Sequence, residues 1–302
     1  MKTKKISPML PTLLIAMALT AVLRSIAVCR DLDFKYGYFN SDTLISISGW
    51  LVFAAIIVLS VITLLEGKRE NLLPTYHSPA TYLPAALVCT ALPFVAKELL
   101  VHFTDYTEQA TKGQSRLCAV ISLLCCVLCV CSVACFFLFT FIKAPFDGKR
   151  AVAITVIAFS LIIYAVYLYF TTDLPLNSPN KIVDQTAYVF AAVFFLYEAR
   201  ATLGKAMWRT YAIFGQIAAL LCAYSSIPAL AVFFIKGKTI SNSIYESILT
   251  FTLFIFISAR LILFTEFEST DDCETVKAIK MKKAQQLGST TDKVKEIEET
   301  AE

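Results

Sequence analysis

Five cysteines, Cys125, Cys126, Cys129, Cys131 and Cys135, fall within eleven positions of the stretch LLCCVLCVCSVACFF. Thiolates at such density invite comparison with zinc or iron–sulfur ligation, which needs about four of them converging on one point. On a helix turning about 3.6 residues per turn, Cys118, Cys125 and Cys129 share a face, Cys126 lies about a quarter turn away, and Cys131 and Cys135 point to the far side. One helix cannot gather them. An apolar setting also keeps thiols protonated, and cysteine serves well as a small buried hydrophobe. No metal is expected here.

Charges within apolar segments are the other chemistry-bearing residues. Glu98, His102 and Asp105 stand at i, i+4 and i+7, one helical face whose groups could hold a cation or relay protons. Their place towards the outer end of the span, where the helix leaves lipid, favours a solvated helix end over such a site. Arg24 lies at a similar depth and could meet Glu98. In FFLYEAR, Glu198 and Arg200 are two residues apart and point to nearly opposite sides, so they cannot pair with each other. Arg260 lies at a matching depth, and a Glu198–Arg260 ion pair is expected, either as a structural pin or as a functional element. Pro93 and Pro228 each follow a Leu-x-Cys within an apolar run. Each frees a backbone carbonyl one turn back, available to a ligand or simply satisfied at a kink by neighbours such as Ser225 and Ser226.

No G-x-x-x-x-G-K-[ST], H-E-x-x-H or G-x-S-x-G occurs. With only His77 and His102 as histidines, placed on opposite sides of a membrane, a histidine-based catalytic pair is not expected. The sequence therefore offers no catalytic residue and no cofactor site, and no basic face suited to nucleic acid.

The elements that position these residues are membrane spans. Apolar residues make up 57% of the 302-residue chain and charged ones only 17%, and the mean hydropathy is +0.67. About a third of the charges fall in the tail after residue 264, against a usual charged share of about a quarter. The remaining runs are long enough to cross about 30 Å of hydrocarbon and lack the alternation of a barrel. Eight spans are expected, near 9–28, 44–65, 82–103, 117–142, 151–170, 182–203, 210–235 and 244–264. MKTKKISPML begins like a signal peptide, but the long run containing Arg24 reads as an uncleaved first helix. Lys and Arg in the N-terminus, the even-numbered loops and the tail outnumber those in the other loops more than twofold, which places both termini in the cytoplasm.

The chain also resembles itself. NSDTLISISGWLVFAAIIVLSVITLLEGK (40–68) and NSPNKIVDQTAYVFAAVFFLYEARATLGK (177–205) agree at ten of 29 ungapped positions. SLLCCVLCVCSVACFFLFT (122–140) and SILTFTLFIFISARLILFT (247–265) agree at seven of 19, which sets the five cysteines opposite Thr250, Phe251, Phe254, Phe256 and Arg260. The expected fold is an all-α polytopic bundle formed by a tandem repeat. Residues 1–143 make one four-helix half, 144–264 the second, and 265–302 a charged tail that is disordered or a short amphipathic helix. In NSPNK, Asn177 or Ser178 is expected to cap span 6, with Pro179 in its first turn.

The stretch DLPLNSPNKIVDQTAYVFAAVFFLYEARATLGKAMWRTYAIFG (173–215) resembles a group of uncharacterised multi-spanning bacterial membrane proteins that carry a similar NSPNK…FLYEAR segment. That resemblance implies a bacterial cytoplasmic membrane and carries over no activity and no functional residue. The function expected from the whole sequence is non-catalytic: sensing, regulation or scaffolding in the bilayer, with a protein partner through the cytoplasmic loops or tail. A transporter of small solutes or ions, built from two parallel four-helix halves, is the alternative, with its substrate unspecified.

Overall fold

The computed structural model describes residues 8–34, 38–65, 79–108, 113–141, 148–170, 178–203, 207–240 and 243–266. They form eight helices: α1 (Met9–Asp31), α2 (Asp42–Leu65), α3 (Pro79–Glu108), α4 (Gly113–Phe141), α5 (Gly148–Phe170), α6 (Pro179–Thr202), α7 (Trp208–Lys236) and α8 (Ile244–Glu266). All eight are long and apolar enough to cross a membrane, and the chain is an all-α multi-pass membrane protein. Most are two or three residues longer than the apolar run that announced them, and α3, with 30 residues, exceeds its run by eight, because polar ends continue the helix past the hydrocarbon. Helix α8 runs two residues into the expected tail, to Glu266; residues 267–302 and His77 lie outside the described residues.

Two-residue strands β1 (Leu32–Asp33) and β2 (Tyr38–Phe39) pair antiparallel after α1, a ribbon too short to show in the sequence pattern. Leu32 joins Val28, Ala229, Val232 and Ile240 in a small apolar cluster, which ties the α1–α2 connection to the end of α7. At the start of α6, Ser178 occupies the N-cap with extended backbone and Pro179 stands in the first turn, but the serine side chain makes no capping hydrogen bond.

The packing has a body and an appendage. Contacts run from α3 through α4, α5, α6, α7 and α8, and α8 closes the circuit against α3. Phe136 of α4, Phe195 of α6 and Phe256 of α8 meet inside it, with ring centroids 5.5–5.7 Å apart. All three are essentially inaccessible, so the circuit is filled at that level rather than hollow. The α1–α2 hairpin lies outside, against α7. Of the apolar window of α7, 72% is buried, whereas α2 buries 17% of its own; most of α2 faces lipid. The two stretches of similar sequence sit in different surroundings: α6 packs on α5 and α7, within the circuit, while α2 packs on α1 and α7, outside it.

Gly215 permits a close approach of α7 to α8 and α6. A Cβ there would lie 2.8 Å from Leu261 Cδ2 and 3.2 Å from the Phe194 ring. Gly215→Val is expected to cost about 1–3 kcal/mol through overpacking, read as a lower thermal unfolding midpoint in detergent. Unfolding identical to the wild type would show that α7 and α8 are not wedged together at this point.

Candidate functional site: the Arg24 cavity

Arg24 projects from α1 and is 2% exposed. A buried arginine in a membrane span must find acceptors, and this one finds them on two other helices. Its Nη2 donates to Asn180 Oδ1 of α6 at 2.8 Å, and its Nη1 donates to the Tyr224 carbonyl of α7 at 3.2 Å. The guanidinium carbon lies 4.3 Å from the centre of the Tyr224 ring, within range of a cation–π attraction. The tyrosine hydroxyl in turn is 2.8 Å from Ser48 Oγ of α2. Arg24 and Ser48 together fasten the hairpin to α6 and α7.

The Tyr224 carbonyl is open to Arg24 because of Pro228. Proline has no N–H, so the carbonyl four residues earlier lacks its helical donor. The carbonyl freed by the kink is therefore taken by a side chain of the same protein. Nearby, Ser226 Oγ donates to the Cys222 carbonyl at 2.6 Å and Ser225 donates to Asp184. Asp184 lies within electrostatic reach of the guanidinium, but the two make no direct ion pair.

Beside this cluster is a cavity of about 390 Å³, within the range of about 300–1,000 Å³ common for small-ligand pockets. Ile45, Val52, Ile182, Val183 and Leu221 form apolar walls, and Arg24, Thr186 and Tyr224 supply its polar groups. Gly49 and Ile182, on α2 and α6, line it and are exposed, so the cavity opens sideways between those two helices. A Cβ at Gly49 would meet nothing within 4 Å: the missing side chain leaves room.

Arg24 does not reach Glu98, contrary to the expectation from depth alone. Its helix packs on α7 and α2, and the acceptors on α6 and α7 take the guanidinium. Glu98 and His102 are half-buried on α3, with the His102 ring stacked on Tyr106 at 6.2 Å. Among the described residues no three His, Cys, Asp or Glu side chains group as a metal set. The cysteines of α4 divide by face: Cys118, Cys125 and Cys129 are buried and Cys131 is exposed. Cys126 Sγ sits 3.3 Å from the Ala96 carbonyl. Pro93 is exposed and Pro228 buried, so the two interruptions do not face a common centre.

At the opposite end of the bundle, Glu198 and Arg260 meet. Both are fully buried. Arg260 Nε donates to Glu198 Oε1 at 3.0 Å, and Nη2 donates to the same oxygen. Arg200 is exposed, as its two-residue offset from Glu198 requires. On the Arg24 side of the bundle, Tyr164 donates to Glu246 Oε1 at 2.6 Å, and Tyr188 lies over the Glu246 backbone and Thr250.

Sequence reasoning missed Asn180, Asp184, Ser48 and Tyr224. Asp184 carried a signal, a carboxylate inside an apolar run. Tyr224 carried one too, as the residue four before a mid-helix proline. Asn180 and Ser48 carried none, because their role depends on which helices become neighbours. Compared with protein families, curated proteins and solved structures, the chain finds no match.

Proposed function

We propose that this chain is a non-catalytic protein of the bacterial cytoplasmic membrane that senses or regulates by holding a membrane-borne ligand in the Arg24 cavity. Both termini are then cytoplasmic, as the Lys and Arg distribution favours, and the loops and tail on that side are available to a protein partner. The observation that carries this reading is the cavity's position. It lies in the joint between a six-helix body and the α1–α2 hairpin, whose α2 is mostly exposed, so occupancy bears on how firmly the hairpin is docked. A ligand can shift a conformational equilibrium only through different contacts in the two states, and a joint supplies that difference. Transport is less well supported, since Phe136, Phe195 and Phe256 fill the centre of the body and Pro93 and Pro228 do not converge.

Native mass spectrometry of protein released from its own membrane tests the reading. A small-molecule mass retained by the wild type should be absent from Gly49→Leu, which adds bulk at a lining position where a Cβ meets no neighbour. Identical adduct spectra for the two would contradict it.

A further inference from the structure

We propose that the ligand is an anionic amphiphile: an apolar tail against the α2 and α6 walls and a carboxylate or phosphate oxygen against Arg24. This rests on the cavity being the binding site and adds the chemistry of what fills it.

The first observation is an excess of buried donors. A guanidinium has five N–H groups in a planar fork, and here two of them reach protein acceptors. Arg24 Nε is buried without a hydrogen-bond partner, and so is Asn180 Nδ2 on the residue that accepts from Arg24. Unpaired buried donors of this kind are costly. Of these two residues Arg24 lines the cavity, where an oxyanion supplies the acceptor its guanidinium lacks, and arginine is the side chain best suited to carboxylate or phosphate. Asp184 does not take that place, because its carboxylate accepts from Ser225 and forms no direct pair with the guanidinium.

The second observation is the route and the wall. The remaining lining is almost entirely aliphatic, and the mouth between α2 and α6 faces the surroundings of an exposed helix, Ile182 being 50% exposed. A water-soluble anion would have to cross that apolar mouth. An amphiphile enters laterally with its tail leading or following in hydrocarbon, and leaves its head at the level of Arg24.

Full-length protein in nanodiscs of zwitterionic phosphatidylcholine is the test material. Hexadecanoate, dodecyl phosphate and phosphatidylglycerol serve as anionic probes, the first two representing free single-chain acids and the third a lipid headgroup. Hexadecanol is the uncharged control. Binding is read by native mass spectrometry and by the rise in unfolding midpoint that a ligand selective for the folded state produces. At least one anionic probe is expected to bind, roughly tenfold more weakly in Arg24→Gln, with binding abolished in Gly49→Leu. The probe that binds best identifies the source. Gly49→Leu leaves Arg24 and its bonds in place, so it decides the matter even if Arg24→Gln folds poorly. Hexadecanol binding as well as the anions, and lost in Gly49→Leu, would overturn the anionic head while leaving the cavity as the site. Anion binding unaffected by Gly49→Leu, or no anion binding at all, would overturn the proposal itself.

Discussion

Arg260→Met is expected to destabilise the protein by about 3–5 kcal/mol, because it leaves Glu198 buried without its counter-charge. Neither residue is accessible, and Glu198 Oε2 already has no hydrogen-bond partner among the described residues, so loss of the arginine adds to an existing deficit. The double replacement Glu198→Leu, Arg260→Met should recover most of the loss, since two apolar side chains remove both charges together. The measurement is a double-mutant cycle on unfolding in mild detergent. Additive losses would show that the two side chains do not depend on each other. Glu198→Gln separates structure from function: if membrane abundance and phenotype both stay unchanged, the pair has no functional role.

Arg24→Met is expected to cost about 3 kcal/mol, as two charge-assisted hydrogen bonds disappear and the Tyr224 carbonyl and Asn180 lose their donor. The dependence on Pro228 makes this prediction sharper than a simple loss of stability. In a Pro228→Ala background residue 228 regains an N–H, which can return to the Tyr224 carbonyl along the helix. The penalty for Arg24→Met should then shrink by about 1 kcal/mol, a coupling of the size expected for groups that share a partner. Equal penalties in the two backgrounds would mean that the arginine does not serve the kink.

Both predictions concern charges that stood out within apolar runs, yet only one partner was foreseeable. Glu198 and Arg260 lie at matching depths on α6 and α8, and depth restricts a membrane charge to few companions. Depth was equally available for Arg24 and Glu98, and there it misled. Which helices become neighbours is decided by side-chain packing over whole faces, and α1 packs on α7 rather than α3. The eight spans were legible because hydrocarbon thickness fixes a minimum length for each apolar run. The ribbon after α1 was not, because two residues per strand carry no periodicity. The cavity was the least legible feature. It is lined by Gly49 on α2 and by Arg24, which bonds the carbonyl that Pro228 leaves free on α7, two local signals whose connection appears only in three dimensions.

The same geometry leaves the α1–α2 hairpin outside the six-helix circuit: it is fastened to the body through Arg24, through the Ser48–Tyr224 and Thr63–Gln216 hydrogen bonds, and through Met9, Leu13, Met17, Val52 and Leu59, which join the main apolar core. Hydrogen exchange of Arg24→Met in nanodiscs tests this most directly, since exchange resolves local opening from global unfolding. The expected result is a selective loss of protection in residues 9–31 and 42–65, with 148–170 and 244–266 protected as in the wild type. A uniform loss across all eight helices, or no change in the hairpin, would contradict it.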